Sequence, residues 1–199
     1  MTTTAAIRKY IQDHPTQIVD AAFLHKTLFP IIKPHTFLKT LARLRDEGLI
    51  KVIDHGVYAP VALPDDKVSE AVLDYYAADT NGAVYGDALY CNLGMIDLAP
   101  EIKKAYTNRL ENGKKKHVLD FELTGADVVF DDAAKNLIAL LELIEDHDHA
   151  LNLNGAKYAE SIEELSKQHY SDALFDEIYR AITYKDSTLK AAKAVLSKK

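Results

Sequence analysis

Lys39 and Arg43 stand four residues apart, with His35, Thr36 and Thr40 at steps of three and four around them. That spacing projects all five side chains from one side of a helix. Cations interleaved with short hydroxyl and imidazole groups suit duplex DNA. Ammonium and guanidinium groups bind phosphate oxygens, while hydroxyl, imidazole and guanidinium groups hydrogen-bond to base edges. Across the same stretch Phe37, Leu38, Leu41 and Leu44 recur at helical spacing, so the opposite side is expected to face a core. Solvated charges on a helix that docks another protein are the ordinary alternative.

No arrangement of comparable quality points to catalysis. Glu145, Asp146, His147, Asp148 and His149 are a dense run of metal-ligating residue types. On a helix, however, residues two apart point to different sides, and no HExxH spacing occurs. A solvated helix end is the expected state. The chain has no GxxxxGK[ST], GxGxxG or GxSxG segment, so no catalytic residue, cofactor or metal is assigned and an enzyme is not expected. Lys114, Lys115 and Lys116 read as the solvated tip of a hairpin. Tyr75, Tyr76, Tyr85, Tyr90 and Tyr106 are expected to half-bury their rings with the hydroxyl in water.

The elements that must position the basic face follow from breakers and periodicity. Pro34 suits the first turn of a helix, where no backbone donor is needed, and Gly48 suits its C-terminal stop. Leu49 to Ile53 and Val57 to Ala59 flank Asp54, His55 and Gly56, which is hairpin composition. Upstream, Ile7, Tyr10 and Ile11 predict a short helix ended by Asp13, His14 and Pro15. Asp20 is the natural N-cap of a second helix packing Phe23, Leu24 and Leu28 inward, after a β bridge through Ile18 and Val19. Helix, bridge, helix, helix, hairpin is the order of a winged helix-turn-helix domain, whose second helix of the pair enters a DNA groove. Charge is distributed accordingly: residues 1–64 hold eight Lys or Arg against five Asp or Glu, net +3, and residues 65–199 hold 16 against 25, net −9, giving −6 in all. Cations are concentrated where phosphates would lie.

At 199 residues the chain can hold one large or two small domains, and 48% hydrophobic residues suffice for a core. No apolar run approaches the roughly 20 residues of a membrane span, and no basic segment leads into an apolar one at the N-terminus, so a cytoplasmic location is expected. The single cysteine, Cys91, cannot form an intramolecular disulfide and is read as a small buried apolar residue. Residues 1–62 are assigned to the winged helix-turn-helix domain. Beyond a linker around residues 60–66, residues 67–199 are assigned to a mixed α/β domain. Val68, Val72, Leu73 and Tyr76 line its first helix. A short strand through Ala83 and Val84 leads by Gly86 into a helix with Leu89, Tyr90 and Leu93. Strands at Tyr106 to Leu110, His117 to Leu123 and Val128 to Phe130 predict a small antiparallel sheet. Leu137, Leu140, Leu141 and Ile144 mark a helix, with further helices near residues 161–168, 171–184 and 187–196. The fold class is therefore α+β.

Two stretches, LARLRDEGLIKVIDHGVYAP and NGAVYGDALYCNLGMIDLAP, followed by YTNR, carry a family likeness. The chain resembles the antitoxin component of AbiE-type abortive-infection systems over about residues 5–150, and the remainder has no counterpart there. The resemblance implies a bacterial type IV antitoxin that also represses its own operon by binding operator DNA, and that counters a nucleotidyltransferase toxin through its C-terminal domain. It implies DNA contacts at Lys33, His35, Thr36, Lys39, Thr40 and Arg43, with Lys51 and His55 on the hairpin; Asp54 at the hairpin tip makes that wing less basic than phosphate contact would favour. A homodimer would match two operator half-sites. The other readings are a stand-alone winged-helix regulator with a ligand-sensing or dimerisation domain, and a winged-helix scaffold for protein docking.

Overall fold

The computed structural model describes residues 3–197, a mixture of helices and two small sheets that separates into two compact units, Met1–Tyr75 and Tyr76–Lys199. Among the described residues no helix is long and apolar enough to cross a membrane.

The first unit runs α1 (Thr3–Asp13), β1 (Val19–Asp20), α2 (Ala21–Leu28), α3 (Pro34–Asp46), β2 (Ile50–Asp54) and β3 (Val57–Pro60). Asp20 caps α2 as its sequence position requires: the carboxylate accepts the Ala22 and Phe23 amides at 3.0 and 3.2 Å. The β2–β3 hairpin closes through His55 and Gly56, with Gly56 at φ +70°, and β1 adds to the far side of β3 in the order β1-β3-β2. Gly56 also accepts the Ala21 amide at 2.9 Å, which ties the hairpin turn to the start of α2. Ile7, Ile11, Val19, Leu24, Phe37, Leu41, Leu44 and Ile50 form one buried cluster between the three helices and the sheet. Leu28, expected inside, is 53% exposed. It is the last residue of α2, where the chain turns away, so its i−4 neighbour Leu24 takes the core position alone.

After β3, Leu63 is buried and residues 65–67 form a single 3-10 turn that leads into α4 (Val68–Ala77). Val68, Val72, Tyr75 and Tyr76 are its buried residues, at the spacing of a helical stripe.

The second unit contains β4 (Gly82–Tyr85), α5 (Asp87–Asn92), β5 (Lys103–Thr107), β6 (Lys115–Val118) and β7 (Phe121–Gly125), then α6 (Asp132–Glu145), α7 (His147–Leu153), α8 (Gly155–Ser166), α9 (Asp172–Ala181) and α10 (Asp186–Leu196). Its sheet, β4-β5-β7-β6, is mixed, which corrects the antiparallel expectation. The β5–β7 pair is parallel, from Lys103 opposite Phe121 to Thr107 opposite Gly125. After Thr107 the chain passes through residues 108–114 before β6, so β6 lands one strand further out. A tight turn at Leu119 and Asp120, with Leu119 at φ +53°, then returns β7 into the gap. That turn divides what reads in sequence as one strand, His117 to Leu123. Glycine is required where β7 ends: a Cβ on Gly125 would lie 1.9 Å from the Glu111 carbonyl oxygen. Val128 to Phe130 is no strand either. The Val128 and Asp131 amides bond two residues back, to Ala126 and Val129, so Val128 and Phe130 put side chains into the core from an irregular segment, while Val129 is 61% exposed.

Helix α6 is the axis of this unit. Asp131 caps it, accepting the Ala134 amide at 2.8 Å, and seven consecutive residues from Leu137 to Leu143 are buried. A helix buried all round needs neighbours all round, and residues of α5, α8, α9, α10 and the 126–130 segment share its core. One of the buried seven is a carboxylic acid, Glu142. The Tyr106 and Tyr184 hydroxyls both donate to its Oε1, at 3.0 and 2.9 Å. Burial raises the carboxyl pKa to about 7, with Glu145 and Asp146 adding to the rise and the two tyrosine hydrogen bonds opposing it.

Candidate nucleic-acid interface

Pro34 occupies the first turn of α3, and the helix is held at both ends by residues outside it. At the start, the His25 ring on α2 sits 2.6 Å through Nε2 from the Ile32 carbonyl and packs on Phe37, with ring centroids 5.2 Å apart. This contact fixes the α2–α3 turn. Nothing in the sequence singles out His25, because one polar residue in an amphipathic helix has no spacing signature. At the other end, Arg8 of α1 pairs with Glu47, and Gly48, at φ +73°, donates to the Arg45 carbonyl.

The buried side of α3 consists of Phe37, Thr40, Leu41 and Leu44. Two residues therefore exchange the sides that the sequence reading assigned them. Thr40, expected outward, is 4% exposed, and its hydroxyl donates to the Thr36 carbonyl at 2.9 Å, which satisfies it without solvent. Leu38, expected inward, is 50% exposed. The reason is angular: at 3.6 residues per turn Thr40 lies about 40° from Leu44, and Leu38 about 40° from Ala42 on the outer arc. Hydrophobicity alone misassigns both.

Lys33, His35, Thr36, Lys39 and Arg43 are exposed on or beside the outer arc of α3. Among the described residues, Lys33, Lys39 and Arg43 form no ion pair. Arg45, by contrast, is bound to Asp46 at 2.9 and 2.7 Å. His35 and Thr36 approach each other at 3.4 Å. The arc thus presents cations that no described residue neutralises, on a helix of 13 residues, about 20 Å long.

The hairpin contributes less than expected. Lys51 donates to the Leu63 carbonyl at 2.7 Å and pairs with Asp65, leaving its side chain 28% exposed, so it is turned back on its own unit. The remaining hairpin candidate, His55, is exposed at the tip, with its amide on the Asp54 carboxylate at 2.6 Å. Lys51 and Thr40 therefore do not join the cationic arc, and His55 lies apart from it in the chain, on the turn rather than the helix. Three large apolar residues of α2, α3 and the turn between them are exposed: Leu28, Ile31, at 98%, and Leu38.

The acidic and histidine run of the second unit is dispersed among separate partners. Glu145 accepts from the Lys185 amide and the Thr188 hydroxyl and pairs with Lys185 Nζ at 3.0 Å. The Tyr90 hydroxyl donates to Asp146 at 3.0 Å; His147 bonds to Tyr158 at 2.8 Å, and His149 approaches Asp87 at 3.4 Å. These side chains staple α5, α8 and α10 to the α6–α7 corner. Tyr90 and Tyr106 likewise keep their hydroxyls on carboxylates rather than in water, and burial, then Glu142, pushes the Tyr106 and Tyr184 hydroxyls well above the usual tyrosine range. Cys91 is half-buried.

Comparison with protein-family models and with curated proteins gives no match for this chain.

Proposed function

We propose that the chain is an operator-binding transcriptional repressor. In this reading α1 to β3 form a winged helix-turn-helix, and α3 enters the major groove. The observation that carries it is the outer arc of α3, where Lys39 and Arg43, flanked by Lys33, His35 and Thr36, extend to solvent with no carboxylate paired to them among the described residues. Groove entry suits a helix backed by a sheet, its turn pinned by His25 and its end pinned by Arg8. Duplex DNA supplies the phosphates and base-edge acceptors that such a surface lacks. A homodimer would present two such helices to an inverted repeat.

The second unit is proposed to carry the antitoxin role of AbiE-type systems, countering a nucleotidyltransferase toxin. This part rests on the resemblance of the LARLRDEGLIKVIDHGVYAP and NGAVYGDALYCNLG segments, and rescue of cells expressing a neighbouring toxin gene tests it.

The deciding experiment for DNA binding is a salt titration of affinity for the chain's own upstream promoter DNA against a scrambled duplex. Specific binding that falls with salt is expected, and Lys39→Ala with Arg43→Ala should weaken it by about 1–3 kcal/mol per lost base-edge contact, or lower the salt slope by about 1 per lost phosphate contact. Lys51→Ala should change it little, because Lys51 is already engaged by Asp65. Binding unaltered by the double substitution, or no preference for the promoter, refutes α3 as the reading helix and turns the reading to a protein-docking scaffold.

A further inference from the structure

Two rows of side chains run side by side along α3, each at i, i+4, i+8, and reach its outer arc at Leu38 and Lys39. One is polar and ends in cations: His35, Lys39, Arg43. The other is apolar: Pro34, Leu38, Ala42. Pro34 and Leu38 are exposed and Ala42 is half-buried, so the row opens to solvent at Pro34 and Leu38, and Leu38 is its large exposed apolar side chain. An isolated exposed leucine is unremarkable. An apolar row alongside a cationic one is more specific, because its ligand must offer negative charge and a methyl-sized apolar group at neighbouring positions. The major groove of duplex DNA does so: phosphates border it, and the thymine C5 methyl is the one apolar group on its floor.

We infer that Leu38 is a specificity-determining residue that packs on a thymine methyl, so that the operator carries a T·A pair beneath it. The inference deepens the reading of α3 as a groove-entering helix and rests on it. It assigns different work to the two rows. The His35–Lys39–Arg43 row supplies affinity and salt dependence, while Leu38 supplies discrimination that does not depend on salt, since apolar contact releases no counterions.

Replacing thymine by deoxyuridine deletes only the C5 methyl, which makes the test selective. Each thymine of the promoter segment bound by the protein is changed in turn, and affinity is measured at fixed salt for the wild-type chain and for Leu38→Ala. The expected result is one or more positions where the wild-type chain loses about fourfold, the ratio that corresponds to ~0.8 kcal/mol for one methyl group. Leu38→Ala should be indifferent at those positions, with its salt slope unchanged. Leu38 is half exposed, so the variant keeps the buried cluster intact, and the uridine scan on the wild-type chain is a second test that needs no variant. Promoter preference retained with every thymine replaceable at no cost, or with identical profiles for both proteins, overturns this inference and leaves the DNA-binding reading standing. Loss of promoter preference by the wild-type chain overturns both.

Discussion

Replacing Glu142 by glutamine isolates the titration of the most deeply buried acid in the second unit. Glu142 is 8% exposed, and both of its tyrosine donors converge on one carboxyl oxygen, an atom that a glutamine amide also supplies. Its pKa rises from 4.5 to about 7 because burial penalises the charged form. Below pH 4.5 the acid is protonated in both folded and unfolded chains, and its titration adds no pH dependence to stability. Between pH 4.5 and 7 the unfolded chain releases the proton while the native chain keeps it, so stability falls as pH rises, and the loss is complete above pH 7. The interval corresponds to about 3 kcal/mol at 1.36 kcal/mol per unit. Glutamine does not titrate. Urea unfolding of wild type and Glu142→Gln, followed by circular dichroism at steps from pH 4 to 8, gives a difference in which the remaining groups cancel. The variant should gain about 3 kcal/mol relative to wild type across that window. A flat difference refutes the reasoning, because it would mean that the native carboxylate is as easily ionised as the unfolded one.

Two further substitutions test how the scaffolds are built. Gly125→Ala forces a methyl group against the Glu111 carbonyl, in a segment where Gly125 also bonds through its amide and carbonyl to Lys114 and Gly113; a loss of about 3 kcal/mol is expected, measured by chemical unfolding. Asp20→Ala removes the acceptor for two amides at the start of α2, and should lower stability by about 1–2 kcal/mol in thermal unfolding.

Much of the first unit is legible in the residues because its signals are local. Pro34, Gly48, Asp20 and the His55–Gly56 turn each act on backbone within a few positions, so helix starts, stops and the hairpin fall within a residue or two of where composition puts them. In the second unit α6, α9 and α10 are readable for the same reason, whereas α8 begins at Gly155, six residues before its expected start, where Asn154 caps it by accepting the Lys157 amide. The short α7 is not readable. Its run of Asp146 to His149 resembles a helix end, and the helix resumes there because Asp146, His147 and His149 find partners on Tyr90, Tyr158 and Asp87, which lie in the separate helices α5 and α8.

The candidate interface shows the same division within one helix. Sequence spacing places Lys39, Arg43, His35 and Thr36 on a common arc, since helical periodicity is intrinsic to the backbone. Which neighbouring arc is buried depends on where α1, α2 and the sheet press against α3. That packing, and not side-chain polarity, puts Thr40 inside and Leu38 outside, and it turns Lys51 towards Leu63 and Asp65. The parallel β5–β7 pair and the charge state of Glu142 are decided likewise by contacts between residues far apart along the chain. Local backbone preferences determine which elements exist; the tertiary structure determines what each face of them meets.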